Sequence, residues 1–127
     1  MNNTTVKTQH VYVIDDNHWH NILMKKMLEM KGYVVSTFTN SINLLEQIRE
    51  QPPELIISDI EMPEMNGFEL FNEIQKIPAA KEVPLFYISS NTQKRITEEV
   101  KTTGAAGFVQ KPIELDSLLK TVAQNCN

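Results

Sequence analysis

Five short apolar runs alternate with five stretches of helical periodicity along this chain, and that order leaves few folds open. The runs are Val11-Tyr12-Val13-Ile14, Val34 to Phe38, Leu55-Ile56-Ile57-Ser58, Leu85-Phe86-Tyr87-Ile88 and Phe108-Val109. Unbroken apolar runs of this length, rich in β-branched residues, suit strands covered on both faces. Between them His20, Leu23, Met24, Met27 and Leu28 recur at helical spacing, with Gly32 as a stop. Leu44, Leu45 and Ile48 mark a second helix before Pro52-Pro53, and Leu70, Phe71, Ile74 and Ile77 a third before Pro78. Thr92 to Thr103 reads as a fourth, ending at Gly104; Leu115, Leu118, Leu119 and Val122 form the stripe of a fifth. The order predicts a (βα)5 doubly wound parallel α/β sheet, with right-handed crossovers and helices on both faces.

The second constraint is what each strand delivers at its carboxyl end. The first run ends in Asp15-Asp16, the third in Asp59, the fourth in Ser89, and the fifth leads into Lys111-Pro112. In an open parallel sheet those ends share one edge, and ligands bind along that edge.

Composition narrows the chemistry. The 127 residues suffice for one domain with a sizeable core. With 16 acids against 12 bases, the net charge of −4 gives no electrostatic reason to expect direct nucleic-acid contact. One cysteine, Cys126, cannot form an internal disulfide, so a reducing, cytoplasmic location is the expectation. Residues 1–9 read as a polar lead-in without the apolar core of a signal peptide, and residues 10–127 as the domain. No apolar run approaches the roughly 20 residues needed to cross a bilayer.

Three carboxylates brought to one pocket repel one another, and one of them tends to take up a proton. A hard divalent cation removes the conflict, and Mg²⁺ is the common one that uses one or two carboxylates with waters and phosphate oxygens. Lys111 adds a positive charge and Ser89 a small donor. Such a set suits a phosphoryl group. Asp59, from a central strand, is the candidate nucleophile, since aspartate forms acyl phosphates in phosphoryl-transfer proteins.

Four motifs in order then carry a family likeness: Val13-Ile14-Asp15-Asp16-Asn17, Ser58-Asp59 through Asn66-Gly67, Ile88-Ser89-Ser90, and Gly104 through Lys111-Pro112. From about His10 to Cys126 the chain resembles the receiver domain of two-component response regulators, of the chemotaxis-regulator kind. The start from Asp15 to Asn21 looks most like receivers attached to hybrid sensor kinases. The resemblance implies a flavodoxin-like sheet of strand order 2-1-3-4-5. It implies that Asp59 accepts a phosphoryl group from a histidine kinase or histidine phosphotransfer protein. It implies Mg²⁺ held by Asp16, Asp59 and the Glu61 backbone carbonyl, with Asp15 on a metal-bound water. Ser89 and Lys111 would meet phosphoryl oxygens, the Lys111-Pro112 bond would be cis, and Phe108 would be the switch aromatic. Asn17, Glu61, Ser90 and Asn91 would form the rim. A downstream protein partner, or a fused output domain, would read the face made by the fourth helix, fifth strand and fifth helix.

Some residues resist a single reading. Ser89 stands where the family more often has Thr, and keeps the hydroxyl. The Glu61 carboxylate either adds charge to the pocket or faces solvent. His18 and His20, two apart, do not share a helix face, and His20 falls on the apolar stripe, so a structural role is expected for both. The helix-one methionines read as core filler. The fourth helix has only Ile96 and Val100 as large apolar anchors, which fits either an ordinary exposed helix or a surface able to shift. Rival functions are a haloacid-dehalogenase-type phosphatase, disfavoured by Met62-Pro63 after Glu61, and a degenerate docking receiver, disfavoured because no acidic, Ser or Lys position is missing. The segment before Lys111 lacks the Asp-Asp-Tyr pattern of dimerising DNA regulators. A stand-alone receiver and a fragment of a larger regulator both remain open.

Overall fold

The computed structural model describes residues 9–90, 94–111 and 114–125. Asn91, Pro112, Cys126 and the first eight residues of the lead-in lie outside the described residues, and with them the expectations placed there.

The elements alternate as the apolar runs require: β1 (His10–Ile14), α1 (His18–Glu29), β2 (Val34–Phe38), α2 (Ser41–Glu50), β3 (Leu55–Asp59), α3 (Gly67–Gln75), β4 (Leu85–Ser89), α4 (Lys94–Thr103), β5 (Gly107–Gln110) and α5 (Leu115–Asn125). The five strands pair in parallel in the order β2-β1-β3-β4-β5, a flavodoxin-like α/β sheet. Its register sets Ile14 beside Ser58, Asp59 beside Ile88 and Ser89 beside Gln110. Asp59 and Ser89 are therefore the last residues of their strands rather than loop residues, held by the ladder itself.

Side chains alternate between two apolar layers, the period-2 consequence of strand geometry. Val11, Val13, Leu55, Ile57, Phe86, Ile88 and Val109 pack with Met24, Met27 and Leu28 of α1 and Leu118 and Val122 of α5. Tyr12, Ile14, Ile56, Leu85 and Tyr87 pack with the apolar faces of α2 and α3 and with Ile96 and Val100 of α4. Both faces of the sheet are thus covered, as continuous apolar strands demand.

The stripe of α1 differs from expectation. Met24, Met27 and Leu28 are buried, but Leu23 is half exposed, and so is the His20 side chain. Asn21 takes the inner position instead. Its Nδ2 donates to the carbonyls of Asp15 and Phe38, both at 3.0 Å, which ties the helix to the ends of β1 and β2. The Phe38 carbonyl also accepts from the Asp15 backbone N–H at 3.1 Å, so the Asn21 amide joins a network between the two strand ends that a leucine could not enter.

Candidate functional site

Asp15, Asp16, Asp59, Ser89 and Lys111 meet at the carboxyl edge of the sheet, where β1, β3, β4 and β5 end. Asp15 is enclosed completely. Its Oδ1 accepts from the Asn17 backbone N–H at 2.9 Å, so the turn into α1 holds the carboxylate in place. Asn17 is the N-cap of α1, its side chain accepting from the N–H groups of Trp19 and His20. The expected rim residue is thus the cap that sets where α1 begins. Asp16 is exposed at the mouth.

Asp59 is 5% exposed. Its main chain is gripped twice: the buried Ser58 hydroxyl donates to the Asp59 carbonyl at 2.8 Å, and Gly67 packs against that same carbonyl. A Cβ at Gly67 would lie 2.6 Å from the Asp59 carbonyl oxygen, so only glycine permits the approach. The loop between them returns through Gly67 N–H to the Ile60 carbonyl at 2.8 Å and starts α3 with an Asn66–Glu69 capping box.

Lys111 spans the pocket. Its Nζ lies 3.1 Å from Asp15 Oδ2 and 3.5 Å from Asp59 Oδ2, and its backbone N–H donates to the Ser89 carbonyl at 2.9 Å. Ser89 is buried, and its hydroxyl donates to Glu61 Oε1 at 3.3 Å. One Glu61 oxygen therefore meets the site, while the residue as a whole stays exposed at the rim. Ser90 is exposed beside it. Phe108, opposite Tyr87 in the register, is partly buried against the layer that includes Ile96 and Val100.

The electrostatics match the crowding. Burial, followed by the Asp15 carboxylate, pushes the Asp59 carboxyl up to about 6, against the opposing pull of Lys111. One ammonium does not neutralise three carboxylates. Asp15, Asp16 and Asp59 each offer an oxygen within 4.8 Å of the others, so the triad is able to hold a metal ion. An all-carboxylate donor set on a pocket with surplus negative charge suits a hard cation.

Sequence reasoning missed one participant. His20, expected on the apolar stripe, sits on the pocket wall with Nδ1 3.2 Å from Asp15 Oδ2 and 3.1 Å from Lys111 Nζ. The signal was present in Asn17: a cap there puts residue 20 in the first turn of α1, over the end of β1.

Residues 11–123 match the family profile described as response regulator receiver domain. The chain belongs to that family. Receivers are signalling proteins of two-component systems that work with kinase partners, not conventional enzymes. The chain is 27% identical to an uncharacterized 14.6 kDa protein of Leptolyngbya boryana, over 96% of this chain and 93% of that one. It is 25% identical to the polar-differentiation response regulator DivK of Brucella anthropi, over 88% of this chain and 91% of that one. Among solved structures it is similar to the chemotaxis protein CheY4 of Vibrio cholerae, with 28% identity and a TM-score of 0.87, covering 93% of this chain and 98% of that one. In this receiver the acidic pocket and Lys111 form the arrangement expected for phosphoaspartate signalling. No helix among the described residues is long and apolar enough to cross a membrane.

Proposed function

We propose that residues 10–127 form one receiver unit in which Asp59 takes a phosphoryl group from the phosphohistidine of a histidine kinase or phosphotransfer protein. The observation that carries this reading is the Lys111 ammonium, held between Asp15 and Asp59 over the metal-binding triad. A carboxylate oxygen of Asp59 attacks phosphorus, the P–N bond to the donor imidazole breaks, and its electrons stay on that nitrogen. Asp16, Asp59 and the Glu61 carbonyl would hold Mg²⁺ directly and Asp15 through water. Bound there, the ion supplies positive charge against the carboxylates and the phosphoryl oxygens.

The chain's own groups complete the account. Lys111 pairs with one phosphoryl oxygen. The Ser89 hydroxyl leaves Glu61 and donates to another, and Phe108 turns into the space that opens. The new group adds roughly −1.5 to −2 charges and three acceptors. Full conversion of a two-state switch needs about 5.5 kcal/mol of differential stabilisation. A few charge-assisted hydrogen bonds at about 1.5–3 kcal/mol each are of that order. The output is the α4–β5–α5 face, read by a protein partner or a fused output domain, in a cytoplasmic setting.

Incubation with acetyl phosphate and Mg²⁺ tests the reading. The wild-type chain is expected to incorporate phosphate and Asp59→Asn none. Equal labelling of the two removes Asp59 as acceptor.

A further inference from the structure

His20 contacts the two groups on which the phosphorylation chemistry depends. An ammonium only donates, so a hydrogen bond between Lys111 Nζ and His20 Nδ1, 3.1 Å apart, requires the tautomer with a lone pair on Nδ1. That tautomer carries its proton on Nε2. In that tautomer the 3.2 Å separation of Nδ1 from Asp15 Oδ2 is two acceptors converging on one donor, because Nδ1 cannot accept from Lys111 and donate to Asp15 at once.

The three partners of the ammonium are unequal. His20 and Asp15 lie at 3.1 Å and Asp59 at 3.5 Å. Two of the three hold Lys111 on the α1 side of the pocket. His20 is itself fixed, since its backbone N–H donates to the Asn17 cap at 3.3 Å.

We propose that His20 is a positioning residue for Lys111: it holds the ammonium beside Asp15 and sets how readily that ammonium is released to a phosphoryl oxygen on Asp59. The inference rests on the phosphoacceptor reading above. It makes the resting position of Lys111 a property of α1 as well as of β5. Removal of the acceptor weakens the resting state and leaves the ammonium freer to engage the phosphoryl group.

The test measures beryllofluoride binding, as a stable phosphoryl mimic, to the full chain with saturating Mg²⁺ by calorimetry. His20→Leu keeps bulk and removes the acceptor; the half-exposed site tolerates it. His20→Gln restores an acceptor. His20→Leu is expected to bind beryllofluoride about tenfold tighter, the scale of one hydrogen bond to a charged group, with His20→Gln near wild type. The Mg²⁺ affinity is measured separately for each variant, because His20 shares Lys111 and Asp15 with the carboxylate cluster, and beryllofluoride binding is compared at metal saturation. Unchanged or weaker beryllofluoride binding by His20→Leu overturns the role of His20 alone. Failure of the wild type to bind beryllofluoride overturns the phosphoacceptor reading as well.

Discussion

The centre and one edge of the sheet are held very differently. β1 and β3, which end in the acidic pocket, are enclosed by helices on both faces, and β3 is buried along its whole length. At the far edge, β5 has Val109 as its one fully buried residue, and α4 rests on Ile96 and Val100. Carboxylates that must keep a fixed spacing stand on the rigid part. The surface proposed to answer them stands on a part with little apolar anchorage, where local opening costs less than at the centre. Lys111 joins the two, since it follows β5 and reaches the groups of β1 and β3.

That contrast can be broken by making the same deletion in both places. Ile57→Ala, at the centre, is expected to cost about 4 kcal/mol in urea unfolding, and Ile96→Ala about 2 kcal/mol, because α4 can settle into the space. Equal costs would erase the distinction. The rigidity of the pocket itself is sharpened by Gly67→Ala. Its Cβ would meet the Asp59 carbonyl, so a loss of about 3 kcal/mol is expected from overpacking against main chain, again by urea unfolding. A loss below about 0.5 kcal/mol would mean that the loop yields and that Asp59 is not clamped.

The charge of the pocket gives a smaller effect with a definite sign. The Asp59 carboxyl is raised to about 6 in the fold, above its ordinary 3.8. The folded state then binds more protons than the unfolded chain between those values. Metal-free stability attributable to this group is therefore greatest below about pH 4 and falls as pH rises to about 6. Asp59→Asn is expected to remove that part of the pH dependence and to raise the melting temperature at pH 7, at about 4 °C for each kcal/mol. A lower melting temperature for the variant would contradict the repulsion described here.

Much of this was legible in the sequence, for physical reasons. Doubly covered strands need continuous apolar runs, and those runs stand out against the turns, so the strand order and the polar strand ends could be anticipated. Asp15, Asp16, Asp59, Ser89 and Lys111 followed from their positions at strand ends alone. What failed was the phase of α1. His20 and Leu23 fit an apolar stripe, but Asn21 faces inward, its amide bonded to two strand-end carbonyls. Periodicity counts apolar residues and does not register a buried polar side chain with a backbone task. Glu61 was ambiguous for a related reason: whether a rim carboxylate turns in or out depends on a partner, here the Ser89 hydroxyl, 28 residues away in sequence.

The most direct measurement locates the phosphoryl group itself. Chain phosphorylated with acetyl phosphate and Mg²⁺ is reduced with borohydride, which turns an aspartyl phosphate into homoserine, and the peptides are sequenced by mass spectrometry. Homoserine at position 59 is the expected result. Homoserine at position 15 or 16 in its place, or phosphate retained on a serine or histidine, would contradict the account.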